Sequence, residues 1–197
     1  MLPKRDGWTV LRSGMGPRRA RIAAARGLAV DAGAVVIVGL CAAASPDLRA
    51  GDVVCATELR RDGALPVTAP DSALVAAALR RRGLSVHVGP ILSVDHVTTA
   101  SERRAFHDAG VLAVDMESAW LADAADGRPL AVIRVVVESA ERELRDPRTI
   151  AASIRALRNL RRVAGALAEW RAPNAPVHTW SAMNAPLQSK LPREARA

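Results

Sequence analysis

Short apolar runs alternate with alanine-rich, helix-patterned segments along the first 171 residues, and this alternation constrains the fold more than any single motif. A run such as Val35-Val36-Ile37-Val38 has no polar face, so it reads as a strand buried on both sides of a sheet. The same pattern marks strands over Trp8 to Arg12, Asp52 to Glu58, Val111 to Met116 and Leu130 to Val137. Leu84 to Val94 reads as a longer strand broken at Gly89-Pro90. Between them lie helices over about Pro17 to Asp31 with Gly33 as the stop, Asp71 to Arg82 ending at Gly83, Ala100 to Ala109, and Glu117 to Ala125. Strands alternating with helices predict an α/β layered fold in one domain.

A last helix, about Pro147 to Trp170, places Ile150, Ile154, Leu157, Leu160, Leu167 and Trp170 on one face, with Arg155, Arg158, Arg161 and Arg162 largely elsewhere. It is expected to dock by its apolar face and to close the domain, residues 1–171. Beyond it, residues 172–197 carry Pro173, Pro176, Pro186 and Pro192 among small and polar side chains. Such a basic tail lacks the apolar density for a core and is expected to be mostly disordered.

The formal net charge is +8, which raises the question of nucleic acid, but aromatic residues make up 3% and tyrosine is absent, so stacking platforms are scarce. The basic excess is expected to be solvated surface, with peripheral contact to anionic membrane headgroups as a further expectation. No run of 18 apolar residues occurs and the first residues carry no apolar signal segment, so a cytoplasmic placement is expected. Cys41 and Cys55 stand in apolar strands without paired spacing and read as buried hydrophobes. No His, Cys, Asp and Glu cluster has ligand spacing, so no metal is expected.

The segment Val114-Asp115-Met116-Glu117-Ser118 combines a strand end, two acids and a thioether. A carboxylate there can accept two hydrogen bonds from a vicinal diol while the methionine packs on the apolar face of a ribose; equally, acids in a first helical turn complement the helix dipole. Taken with Ala34-Val35-Val36-Ile37-Val38-Gly39, Ser13-Gly14-Met15-Gly16, Ser93-Val94-Asp95-His96-Val97-Thr98-Thr99 and Ile133-Arg134-Val135-Val136-Val137-Glu138-Ser139, the chain resembles the purine nucleoside phosphorylase and methylthioadenosine/adenosylhomocysteine nucleosidase superfamily over roughly positions 8 to 171. Within it the motifs are most similar to the hopanoid-associated phosphorylases, which act on adenosylhopane.

The resemblance implies a three-layer α/β/α sandwich with a central mixed sheet, a nucleoside substrate, no cofactor beyond phosphate as a possible cosubstrate, and homo-oligomers. It assigns Glu117 and Met116 to the ribose, with Asp115 beside them either on the sugar, on neighbouring backbone or in an ion pair with Arg134. Val97 and Thr98 would line the purine pocket, and Gly14 and Met15 would border the substrate. His96 reads as a structural strand-end histidine. Glu138 stands where the family has an aspartate that assists protonation of the purine, so it is the candidate general acid, one methylene longer; the alternative is a solvated strand-end glutamate. Arg18 and Arg19 read as solvated helix arginines ahead of an anion site.

Two features depart from the family. Ala42 and Ala43 occupy positions where relatives carry glycines, adding Cβ atoms where backbone approaches the ligand. Only seven residues precede Trp8, too few for the strand and loop with which relatives open. Either the gene start lies further upstream, or the sheet lacks that first strand and the chain is a weakly active or noncatalytic homologue that binds nucleosides or serves as an interaction subunit. The leading expectation is an enzyme that cleaves the N-glycosidic bond of an adenosyl compound and releases adenine.

Overall fold

The computed structural model describes residues 9–138, 156, 158–163, 167 and 177–181, with the backbone alone for Glu138 and 177–181. In chain order the elements are β1 (Val10–Arg12), α1 (Pro17–Leu28), β2 (Ala34–Ala43), β3 (Val53–Arg60), β4 (Val67–Thr68), α2 (Ser72–Arg81), β5 (Val86–Ser93), α3 (Ala100–Asp108), β6 (Ala113–Asp115), α4 (Ser118–Leu121) with a 3-10 turn over Ala122–Ala125, β7 (Leu130–Glu138) and β8 (Val177–Ser181).

The sheet is mixed. β2 lies parallel to β7 on one side and to β8 on the other, β7 is antiparallel to β3, and β3 and β6 each lie parallel to β5. The far end of β2 then pairs antiparallel with β6, Ala42 opposite Val114 and Ala43 opposite Ala113, so five strands close on themselves in the order β2, β7, β3, β5, β6. β1, β8 and β4 lie outside that ring.

Alternation along the two central strands explains the layers. Val35, Ile37, Val132 and Val136 pack with Ala20 and Ala24 of α1 and with Trp120 and Leu121 of α4. The intervening Val36, Val38, Ile133 and Val135 pack with Val75 and Leu79 of α2 and with Leu160 and Val163 of the last segment. Apart from Arg134, both faces of β2 and the inner part of β7 are apolar because both are covered by helices, and each fully buried Val, Leu or Ile contributes about 1.5–3 kcal/mol of transfer free energy.

Local signals set the ends of the helices. Pro17 opens α1 at a position where its missing N–H costs nothing, and Ala20, Ala23, Ala24 and Gly27 give the helix a small-residue face for close approach. α3 begins with a capping box in which the Thr99 hydroxyl accepts from the Glu102 N–H and the Glu102 carboxylate accepts from the Thr99 N–H. The described residues of the last segment, 156, 158–163 and 167, are helical; Ala156, Leu160, Val163 and Leu167 are buried while Arg158, Arg161 and Arg162 are exposed. Ile150, Ile154, Leu157 and Trp170 of the expected apolar face lie outside the described residues.

The short β4 was not expected, α1 stops at Leu28 ahead of the expected Asp31, and the helix expected over Glu117 to Ala125 is a short α4 followed by a 3-10 turn; three further differences bear on the sheet. β2 does not end at Val38 but runs to Ala43, because pairing with β6 carries it on. β5 is continuous through Gly89-Pro90, where the Pro90 carbonyl accepts the Leu112 N–H and a Cβ on Gly89 would stand 2.5 Å from Leu112 Cδ1. Glycine is there to admit Leu112 against the strand, not to break it. Finally, five residues of the basic tail, Val177–Ser181, form β8 inside the sheet.

Candidate active site

The segment Asp115-Met116-Glu117-Ser118 sits where β6 ends and α4 begins, and Asp115 shapes the turn. Its Oδ1 accepts the backbone N–H of Glu117 at 3.2 Å and of Ser118 at 3.1 Å, satisfying the first donors of the helix, and accepts the Ser93 hydroxyl at 2.5 Å from the end of β5. Its Oδ2 lies 2.7 Å from Arg134 Nε. Asp115 therefore does both things the sequence left open, orienting backbone and pairing with Arg134, and its oxygens are committed to protein groups. That is the geometry of a positioning residue.

Arg134 comes from the middle of β7, opposite Gly39 of β2 and Val54 of β3, and is fully buried. Nε also donates to the Ser118 hydroxyl at 2.8 Å, and Nη1 reaches the Leu40 carbonyl at 3.5 Å and Glu117 Oε2 at 3.6 Å. Nη2 is buried with no hydrogen-bond partner among the described residues. A buried guanidinium N–H left open is costly unless something else accepts from it.

Glu117 closes the arrangement. Its Oε1 accepts the Gly16 N–H at 2.9 Å, tying α4 to the loop after β1. Gly14 and Gly16 both have positive φ, 75° and 92°, so this turn requires glycine at both positions, and Met15 between them is 62% exposed. Burial pushes the Glu117 carboxyl above the ordinary carboxylate range, with the Arg134 guanidinium opposing the shift. The result is a nearly buried carboxylate held from two sides next to an unsatisfied cationic donor, at the carboxyl ends of β1 and β6.

The remaining sequence candidates divide. Met116 is half-buried beside Glu117. Val97 is exposed, while Thr98 is buried and its carbonyl accepts from Arg103 Nη1 at 2.9 Å. Glu138 ends β7 opposite Ala42, and its side chain lies outside the described residues. Arg18 and Arg19 are exposed, in keeping with solvated helix arginines. Cys41 and Cys55 are free and buried; burial raises both thiols, that of Cys55 up to about 12, so neither is a thiolate nucleophile at neutral pH.

Arg134 as a donor in its own right is what the sequence reading missed. The signal was present: a lone arginine inside a nine-residue strand otherwise apolar to its last position. A cleft of about 880 Å³ lies on the neighbouring surface, lined by Ser93, Asp95, His96, Phe106, Trp120 and Arg21 among others, and the Arg21 guanidinium stands over the Trp120 ring at 5.6 Å. Among the described residues no group of three or more His, Cys, Asp or Glu could hold a metal ion, and no helix is long and apolar enough to cross a membrane.

The α/β fold with its mixed central sheet is that of the nucleoside phosphorylases and nucleosidases, and the chain is a member of the Phosphorylase superfamily, whose family model matches residues 4–169. Among solved structures it is similar to the 5'-methylthioadenosine/S-adenosylhomocysteine nucleosidase of Campylobacter jejuni, at 16% identity and a TM-score of 0.69 over 80% of this chain and 77% of that one. The futalosine hydrolase mutant of Helicobacter pylori gives 19% identity and a TM-score of 0.67, over 80% and 79%. The Streptococcus pneumoniae MTA/SAH nucleosidase, in complex with 8-aminoadenine, gives 24% and 0.62, over 79% and 76%. No curated protein matches the sequence significantly.

Proposed function

We propose that this chain cleaves the N-glycosidic bond of an adenosyl compound and releases adenine, with adenosylhopane the substrate suggested by its motifs. The observation that carries the reading is the pairing of Glu117, anchored by Gly16 and Arg134, with the open Nη2 of Arg134. A carboxylate in a desolvated pocket is a strong acceptor for ribose hydroxyls, and Met116 beside it supplies a sugar-packing face. Arg134 Nη2 suits an oxygen of the attacking group, either water or phosphate, and Asp115 positions both Glu117 and Arg134. Glu138 is assigned the proton for the departing purine. Nucleoside binding is expected to occur in a homo-oligomer, as in the resembled family.

A second reading, a homologue that binds nucleosides without turning them over, is favoured by one observation. Ala42 and Ala43 are strand residues paired to β6, not an open glycine loop that could admit a ligand to the backbone. One experiment separates the two. Adenine release from an adenosyl substrate is followed by chromatography, with and without phosphate, for the native chain and Glu138→Gln, alongside calorimetric binding of an adenosine analogue. An enzyme with Glu138 as its acid loses turnover in Glu138→Gln far more than it loses affinity. Binding without any adenine release selects the second reading, and Glu138→Gln turning over at the native rate removes Glu138 as the acid.

A further inference from the structure

Among the described residues β1 pairs only with β8, and β8 lies between β1 and β2, parallel to both. Val10, Leu11 and Arg12 stand opposite Thr179, Trp180 and Ser181, and Ala34 through Val38 stand opposite Val177 through Ser181. The strand that links the start of the domain to its centre is thus supplied from the far end of the chain. Without it, the β2 edge would present five residues whose side chains are at most 4% exposed, together with a row of unpaired backbone groups. A long apolar edge of that kind is a site for association with other strands.

We propose that β8, seated between β1 and β2, is what holds β1 and thereby positions the loop Ser13–Gly16 that donates to Glu117, so that this late segment of the chain completes the candidate site. The segment suits the role. Val177, Thr179 and Trp180 are strand formers, and Pro176, which cannot donate to a ladder, precedes the paired residues in the sequence. Nine residues, 168–176, connect the buried Leu167 to Val177, and those ten steps reach roughly 33–36 Å when extended, enough to cross a domain of this size. The occupant can therefore come from the same chain. The consequence for the site runs through β1. The loop that follows it delivers the Gly16 N–H to Glu117 Oε1, so the placement of that donor depends on β1 being held by β8.

The test uses the full chain and Thr179→Pro, which removes a ladder donor from the middle of β8. Amide hydrogen exchange is read by segment. If β8 fills the groove, amides of 10–12 and 34–38 are protected in the native chain and exchange on the order of tenfold or more faster in Thr179→Pro, while those of β5 and β6 are unchanged. A chain ending at Arg171 should lose the same protection and regain it on adding a synthetic peptide of residues 172–186, but not its Thr179→Pro counterpart. Unprotected amides at 177–181 in the native chain, or unchanged exchange at 10–12 and 34–38 in Thr179→Pro, would overturn the proposal. So would a concentration-dependent dimer that alone shows the protection, since the strand would then come from a second copy. None of these readouts depends on nucleoside binding or turnover.

Discussion

Two clusters of charge sit at the ends of neighbouring strands, and they are built from similar parts to opposite effect. After β6, Asp115 and Arg134 pair with both side chains 0% exposed, next to Glu117. After β5, His96 bridges Asp95 and Glu102, at 2.9 Å to each, with side-chain exposures of 52%, 76% and 39%. In the exposed cluster hydrogen bonds from His96 lower Asp95, bonds from Thr99 and His96 hold Glu102 down to about 2, and bonds to the two carboxylates raise His96. That cluster is satisfied internally and faces solvent, so water and salt screen it. The sealed cluster is screened far less, and among the described residues it retains a donor without a partner. A group left incomplete in a dry place still has a hydrogen bond to give; a complete one in a wet place holds a helix start.

The sharpest way to break this contrast is Arg134→Met. Removing the cation leaves Asp115 and Glu117 buried without compensation, and a loss of about 3–5 kcal/mol in unfolding free energy is expected, measured by urea denaturation. A loss under about 1 kcal/mol, the scale of an exposed pair, would mean that the cluster is effectively solvated.

Next in size is the response to pH. With Glu117 as the proposed ribose acceptor, binding requires its carboxylate, and because burial raises that group, affinity for an adenosine analogue should fall as pH drops, beginning above the ordinary carboxylate range. The sign for folding is opposite. A raised acid contributes stability that is fully present below its unfolded pKa and is lost as pH rises through the folded value, so binding and Glu117's own stability term move in opposite directions across that window. Calorimetric titrations from neutral to mildly acid pH check it, and a flat affinity profile would remove Glu117 from the binding site.

Smaller again is Thr99→Ala, which takes one half of the capping box from α3 and should cost about 1 kcal/mol by thermal or urea unfolding, with adenosine-analogue affinity unchanged. Smallest is the titration of His96. Its raised pKa gives stability that is present below the ordinary histidine range and lost as pH rises through the folded value, and this dependence should vanish at high salt. A pH dependence that survives in high salt would place His96 with the sealed cluster.

Much of this architecture was legible in the chain. The apolar runs of β2 and β7 and the alanine face of α1 fix a layered α/β fold, because a strand with no polar side must be covered twice. The acid pair at the end of β6 stood out in the sequence, but its use did not, since acids before a helix also serve the helix start, and Asp115 does so here. The ring closure between β2 and β6 was not, because Ala42 and Ala43 carry no periodic signal and their strand character comes from the partner they meet. Nor was β8, a five-residue run inside a proline-bearing tail whose pairing depends on strands more than 130 positions away. Composition and periodicity determined which segments must be buried. Which buried donor is left open, which carboxylate is spent on backbone, and which strand fills the edge were decided by tertiary structure, because each depends on atoms brought within 3 to 4 Å by chain segments that share no local pattern.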